Sequence, residues 1–366
     1  MGVAAERSAT PRTLAMAFEP RSNSLDMLRL ILATTVAVMH ASAIAYGHQP
    51  RLGRTEVGDL AVDAFFVLSG FLVTRSFLQL ASPGRYAWHR FLRIMPGFWT
   101  CLAVIAFVVA PALAALSGVS ISATLGSSWR FVADNALLYM RDFSAAGLPV
   151  TGHQPQVING PLWTLYYEAV CYVIVGLVGA AGILRRPVWL VPAVLAVWLL
   201  IALQVAGVVP VVGRFYVRFF LVFMLGALGY LFADRIVMRR RWLIVALVVL
   251  TVALWGVDDY RAVGAGAFAY ICLYAVVGTA WLRHRPRADL SYGMYVYHWP
   301  IETLLVAAGA TALTQVGYTV LALVLAAGVA LVSWHVVEKP ALSRKSMAAP
   351  WGGAGPRSAG TSSRGR

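Results

Sequence analysis

Apolar runs of about 20 residues recur along the whole chain, and they constrain the fold more than any other feature. A helix needs about 20 apolar residues to cross roughly 30 Å of hydrocarbon. The 366 residues are 60% apolar and only 12% charged, whereas a soluble domain carries about 25% charged residues. The sequence therefore predicts an all-α fold, a polytopic bundle of membrane-spanning helices.

The runs define ten predicted spans, with both termini in the cytoplasm. The approximate limits are 26–46, 59–80, 97–117, 161–183, 187–206, 213–233, 242–258, 262–282, 291–310 and 318–337. This topology puts most arginines in cytoplasmic segments, which is the usual bias of membrane proteins. We therefore expect a cytoplasmic tail (1–24), a membrane domain (25–345) and a disordered cytoplasmic tail (346–366).

The net charge of +15 does not indicate a nucleic-acid partner, because the basic residues are scattered between apolar runs. The three cysteines lie inside apolar runs without metal-ligand spacing, so no metal site is expected. The longest predicted loop, 118–160 on the outer side, is rich in Gly, Ser and Pro. It either helps to bind an acceptor above the bundle or simply connects two spans.

The first span carries three polar groups, Asp26, Arg29 and His40. Arg29 and His40 are eleven residues apart, so on a helix they lie on nearly one face and about 16 Å apart. Charged groups within a membrane are costly and should face protein or water. The alternative is an Asp26–Arg29 end cap with His40 reaching the surface. A second alternative is a signal peptide cleaved after Ala41-Ser42-Ala43.

Other spans carry further polar groups. Asp63 and Ser69-Gly70 lie in the second span, although a mid-span glycine such as Gly70 usually serves close helix packing. Glu168 lies about two turns into the fourth span and needs a cationic or histidine partner. In the ninth span, His298 and Glu302 are four residues apart and can pair on one face.

Arg90 and Arg93 stand in the predicted cytoplasmic loop after the second span, three residues apart. Two adjacent guanidinium groups suit a phosphate or pyrophosphate, although arginines there also anchor loops to anionic lipid. Together, the polar groups describe a path through the bundle. Such a path fits an enzyme that works across the membrane, or a transporter that uses His and carboxylates as a proton relay.

Several motifs in order resemble those of the acyltransferase 3 family of integral membrane acyltransferases. The resemblance covers nearly the whole of 25–345. The matching motifs are LDMLR with ten residues between Arg29 and His40, AVDAFFVLSGFL, the RFLR of Arg90 and Arg93, WTLYYE, SYGMYVYHWP and VEKP. Some members carry an additional hydrolase-like domain, which the sequence does not contain, so we expect a membrane domain that acts alone or with separate partners.

The resemblance implies transfer of an acyl group, commonly acetyl, from cytoplasmic acyl-CoA to a hydroxyl of an extracytoplasmic glycan or lipid-linked sugar. Arg29 and His40 match the family's essential Arg-x10-His pair. Arg90 and Arg93 match its Arg-x-x-Arg motif, which is thought to meet the CoA phosphates. Ser69 and Gly70 begin the SGFL segment that lines the donor path.

We expect His40 to act as general base on the acceptor hydroxyl, with Glu168 or Asp63 orienting it. Arg29 would line the donor channel or stabilise charge on the carbonyl oxygen. A covalent acyl-histidine or acyl-Ser69 intermediate remains an alternative. The expected partners are acyl-CoA, the acceptor and lipid, with no tightly bound cofactor, in the inner membrane of a bacterium. The sequence does not give the acceptor, the acyl length or the oligomeric state.

Overall fold

A computed structural model describes residues 12–346 apart from 21, 81, 145–152, 154–156, 212, 280–281 and 284–285. Nearly all of the predicted C-terminal tail and about half of the N-terminal tail lie outside the described residues. The described chain is almost entirely helical, with one two-stranded hairpin in which β1 (Arg51–Leu52) pairs antiparallel to β2 (Thr55–Glu56). The predicted all-α class is therefore confirmed.

The helices are numbered α1 to α14 in chain order. Their bounds are Leu14–Ala17, Leu25–Tyr46, Val57–Leu80, Pro83–Val104, Ala110–Leu116, Ile121–Asn135, Trp163–Ala180, Leu190–Val205, Arg214–Leu231, Arg240–Gly256, Arg261–Gly278, Ser291–Ala307, Gln315–Ser333 and Lys339–Ser343. Short π-helical turns, Ile105–Val109 and Trp334–Glu338, join α4 to α5 and α13 to α14. Single 3₁₀ turns occupy Ile183–Arg185, Pro187–Trp189, Ala310–Ala312 and Arg344–Ser346.

Eight helical segments of the described chain are long and apolar enough to cross a membrane. The predicted seventh and ninth spans correspond to α10 and α12, which have 17 residues each and are about 26 Å long. The chain is thus an integral membrane protein with a polytopic helical bundle. The count of ten spans and the cytoplasmic position of both termini stay predictions.

The third predicted span differs from the structure at its start. Ser82 caps a helix whose first residue is Pro83, and this helix continues through Pro96. Pro suits the first helical position because its missing N–H would have no partner there. Arg90 and Arg93 therefore stand on α4 itself and not in a separate loop.

The helix α3 packs most extensively against α9. A Cβ added at Gly70 would collide with the backbone of Phe223, and one added at Gly226 would collide with the backbone of Val67. Small residues at such crossings let two helices approach closely. The prediction that Gly70 lines a donor path is therefore corrected, since Gly70 faces α9.

The helix α12 packs against both α2 and α13 and contains Pro300, which cannot bond the carbonyl of Val296. That carbonyl instead accepts a hydrogen bond from Asn159 Nδ2 at 2.8 Å and another from Cys101 Sγ at 3.4 Å. The proline therefore ties the end of the 118–160 segment to the centre of α12.

Candidate active site

The first cavity of the site, named here the basic cavity, has a volume of about 560 Å³. Its cationic lining residues are Arg29, Arg75, Arg90, Arg93 and Lys345. The cavity follows α3 from Gln79 to Val62, which is about 26 Å along the helix. It begins at the end of the bundle that the arginine distribution predicts to be cytoplasmic and runs deep into the helices.

Asp289 organises two of the arginines. Its Oδ2 lies 3.0 Å from Arg93 Nη1 and 3.3 Å from Arg29 Nη1. Burial would raise the pKa of Asp289, but the two guanidinium groups and bonds from Ser291 outweigh it and hold this pKa well below its usual range. Within the described chain, Arg90 Nε and Arg93 Nη2 are buried without a hydrogen-bond partner. These N–H groups remain available to an anion.

Ser69 and Glu168 meet further along the same cavity. Ser69 donates a hydrogen bond to Glu168 Oε1 at 2.8 Å, and Tyr172 donates to the same oxygen at 2.6 Å. The partner of Glu168 is therefore a pair of hydroxyls, and not the cation or histidine expected from the sequence. Ser69, Glu168 and Tyr172 thus place polar groups in a part of the cavity where most lining residues are apolar.

His40 and His298 form a direct pair. His40 Nδ1 lies 2.9 Å from His298 Nε2, and His298 Nδ1 lies 2.8 Å from the carbonyl of Met294. A carbonyl only accepts, so in the neutral pair His298 Nδ1 carries the hydrogen and His298 Nε2 accepts from His40 Nδ1. His40 Nε2 is then left with its lone pair, as a general base requires.

His40 lines a second cavity, named here the histidine cavity, with a volume of about 530 Å³. Trp299 packs edge-on against the His40 ring at 4.9 Å and donates a hydrogen bond to the carbonyl of Val157 at 3.0 Å. Residues of the 118–160 segment line this cavity, namely Tyr139, Met140, Phe143, Val157 and Gly160. The segment thus borders the cavity that His40 lines, and its role in binding an acceptor stays a prediction.

The two cavities meet at three residues that line both, Val62, Thr164 and Tyr295. One comes from each of the helices α3, α7 and α12. Thr164 Oγ1 and Tyr295 Oη are 2.6 Å apart and bridge the junction. A molecule in the basic cavity and one in the histidine cavity would therefore approach each other at Val62, Thr164 and Tyr295.

Asp63 lies in an ionic cluster, and among the described residues its hydrogen bonds go to that cluster and not to His40. Its carboxylate accepts from Arg218 Nε at 2.8 Å, from Arg261 Nε at 2.7 Å and from the Tyr260 hydroxyl at 2.8 Å. Asp63 is fully buried and its two arginines nearly so. The expectation that Asp63 orients His40 is corrected, because α9 and α11 supply cations that satisfy both of its oxygens.

The other predicted pairings of polar residues are not the ones that the structure forms. Glu302 is fully buried, and within the described chain neither of its oxygens has a hydrogen-bond partner. His298 bonds His40 and Met294, so the expected pairing of His298 with Glu302 is not seen. Asp26 occupies the first turn of α2, and the salt bridge of Arg29 is made to Asp289. Ala41, Ser42 and Ala43 are buried within an unbroken α2.

Sequence reasoning missed several residues of the site. Arg218 is a charged residue inside an apolar run, so the criterion that selected Arg29 would have found it. Asp289 lies two residues before the predicted ninth span. It therefore does not meet the criterion of a charged residue inside an apolar run. Thr164 and Tyr295 are ordinary residues of apolar helices, and nothing in the sequence indicates that they bond each other and line both cavities.

Comparison with known proteins identifies the family. A family model described as an acyltransferase domain matches residues 22–336. The chain belongs to the acyltransferase 3 family. The chain is 26% identical over 347 residues to the O-acetyl transferase of Shigella phage Sf6. This match covers 89% of this chain and 98% of the phage protein. It is 28% identical over 371 residues to Nodulation protein 10 of Rhizobium leguminosarum bv. viciae, with coverages of 88% and 94%. No solved structure matches the chain.

The match confirms the family that the motifs predicted. The protein is an acyltransferase embedded in the membrane, which favours the enzyme over the transporter of the sequence analysis. The roles of the individual site residues stay predictions.

Proposed function

We propose that this acyltransferase moves an acetyl group from cytoplasmic acetyl-CoA to a hydroxyl of an extracytoplasmic carbohydrate or lipid-linked glycan. The membrane would be the bacterial plasma membrane. The observation that carries the proposal is the pair of cavities that share Val62, Thr164 and Tyr295, one lined by cations and the other by His40 and aromatic residues. The O-acetyl transferase of the phage supports an acetyl group and an oxygen acceptor.

The basic cavity suits the donor. Arg90 and Arg93 offer buried N–H groups without partners in the described chain, and guanidinium groups bind phosphates through charge-assisted hydrogen bonds. The long flexible arm of CoA would then follow α3 toward the junction, passing the hydroxyls of Ser69 and Tyr172 and the carboxylate of Glu168. Those groups match the amides of the arm as hydrogen-bond partners.

The histidine cavity suits the acceptor. The hydroxyl of the acceptor would bond His40 Nε2, which takes its proton as the oxygen attacks the thioester carbonyl carbon. When the carbon–sulfur bond breaks, the proton passes from His40 to the CoA sulfur. His298 holds the imidazole in the required tautomer and stabilises its charged form through the 2.9 Å contact.

The position of Ser69 favours direct transfer. Ser69 lies seven residues from Val62 on α3, about 10 Å short of the junction. An acyl-Ser69 intermediate would therefore form far from His40 and would require the acyl group to travel on to the acceptor. Arg29 is also distant, since it stands eleven residues from His40 on α2 and binds Asp289.

The test measures release of free CoA from labelled acetyl-CoA by membranes that contain the enzyme and acceptor. We expect His40→Ala to lower the rate roughly 10²–10⁴-fold, the usual contribution of a general base. His335→Ala is the matched control, because this exposed histidine bonds the Leu331 carbonyl one turn earlier and, among the described residues, lines neither cavity. Full CoA release by the His40 variant would overturn the proposal. Acceptor flux without CoA release would indicate a transporter instead.

A further inference from the structure

The junction between the two cavities lacks an assigned group for one step of the proposed reaction. As the acceptor attacks, the thioester carbonyl oxygen becomes negatively charged and needs a hydrogen-bond donor. Arg29 was one expectation, but it is about 16 Å from His40 along α2 and is held by Asp289. The donor should instead come from the residues that line both cavities.

Of the three junction residues, Val62 has no polar side chain, which leaves Thr164 and Tyr295. Thr164 Oγ1 lies 2.9 Å from the carbonyl of Pro161 and 2.6 Å from Tyr295 Oη. The carbonyl only accepts, so the single hydroxyl hydrogen of Thr164 is donated to it. The hydrogen between the two hydroxyls therefore belongs to Tyr295, which donates to Thr164.

This arrangement leaves Tyr295 with a hydrogen that can change acceptor. In the free enzyme, Tyr295 donates this hydrogen to the neutral hydroxyl of Thr164. During the reaction, the negatively charged thioester oxygen would compete for it. A hydrogen bond to a charged oxygen is about twice as strong as one between neutral groups. The change of partner is thus favoured only as charge develops, which is the property that lowers a barrier.

The surroundings of Tyr295 fix its position. The ring is buried and packs edge-on against Phe65 at 5.7 Å. Tyr295 precedes His298 by three residues on α12, so both lie on one face, with their rings 6.3 Å apart. A single helix therefore positions the tyrosine hydroxyl and, through His298, the base His40.

We propose that Tyr295 is a further catalytic residue whose hydroxyl donates a hydrogen bond to the thioester carbonyl oxygen. This inference rests on the proposed function. The acceptor oxygen bonds the carbonyl carbon, the carbonyl electron pair moves to the oxygen, and Tyr295 bonds that oxygen without giving up its proton. The carbonyl then re-forms, the carbon–sulfur bond breaks, and His40 returns the acceptor's proton to sulfur.

The test compares Tyr295→Phe with Tyr297→Phe, because each removes one buried tyrosine hydroxyl from α12 and only the first of these hydroxyls belongs to a cavity-lining residue. The purified enzyme in lipid nanodiscs is assayed for kcat and for the KM of acetyl-CoA. We expect Tyr295→Phe to lower kcat roughly 10²–10³-fold, as for loss of one oxyanion donor, with KM unchanged. Tyr297→Phe should keep kcat within about threefold, because Tyr297 lines neither cavity and so does not contact the reacting groups.

Two results would overturn the role of Tyr295. One is a Tyr295→Phe enzyme with unchanged kcat, and the other is an equal loss of kcat in both variants, which would indicate a general effect of removing a buried hydroxyl from α12. If Tyr295→Phe does not fold, Tyr295→3-fluorotyrosine keeps the ring and strengthens the donor, and an unchanged or lower kcat would contradict the proposal. If Tyr295→Phe keeps its kcat while His40→Ala is inactive, only the role proposed for Tyr295 is refuted. If His40→Ala is active, the proposed function itself is refuted.

Discussion

Replacing Asp63 with asparagine tests whether this buried carboxylate serves the fold or the chemistry. Its two oxygens accept from Arg218, Arg261 and Tyr260 at 2.7–2.8 Å, and the side chain is fully buried. Asp63→Asn would remove the charge that neutralises two arginines and would turn an amide N–H toward a guanidinium. Removing one partner of a buried ion pair costs about 3–5 kcal/mol.

The matched control is Asp59→Asn. Asp59 lies one turn earlier on α3 and binds the same Arg218 at 2.9 Å, but 41% of its side chain is exposed. Exposed ion pairs contribute about 1 kcal/mol or less. The free energy of unfolding of both variants is measured by reversible denaturation in mixed micelles, together with kcat per folded molecule.

We expect Asp63→Asn to lose at least 2 kcal/mol more stability than Asp59→Asn, by the difference of the two ranges. The folded fraction of Asp63→Asn should keep a kcat close to that of the wild type. Equal losses of stability in the two variants would refute the ionic-cluster argument. An Asp63→Asn enzyme of normal stability and low kcat would restore the earlier expectation that Asp63 orients His40.

Three further predictions follow from the geometry. Gly70→Ala should lower the free energy of unfolding by about 1–3 kcal/mol, because a Cβ at this position would meet backbone atoms. The control Gly126→Ala should not lower it, because nothing lies within 4 Å of a Cβ there. Equal melting temperatures of the two variants would contradict this prediction. The double variant Arg90→Ala with Arg93→Ala should raise the KM for acetyl-CoA at least tenfold, since a hydrogen bond to a charged group contributes about 1.5–3 kcal/mol, and an unchanged KM would argue against phosphate binding. His298→Phe keeps an aromatic ring but removes the acceptor of His40 Nδ1–H, so kcat should fall about 100-fold at constant KM; undiminished kcat would exclude a positioning role.

The sequence predicted the helices and the family but could not predict most helix partners. Helix limits follow from runs of apolar residues, and the Arg90–Arg93 pair follows from helical spacing. In a membrane, however, lipid-facing and buried faces are both apolar, so periodicity does not identify the buried side. His40 meets a histidine 258 residues away, and Asp63 meets an arginine 155 residues away. Such contacts depend on which helices are neighbours.

In the described chain, buried polar residues of the site differ from those of the fold in having donors or acceptors without a partner, and burial alone does not distinguish the two groups. Asp63 is as buried as His298, yet partners satisfy both of its oxygens, so it has nothing to offer a substrate. Glu302 has unfilled capacity but lines neither cavity. His40 and Arg93 combine the two properties, a free lone pair or N–H group and a cavity to receive a ligand. A polar residue in a membrane bundle is therefore a candidate for chemistry when the fold leaves part of its bonding unfilled and directs that part toward space that a substrate can enter.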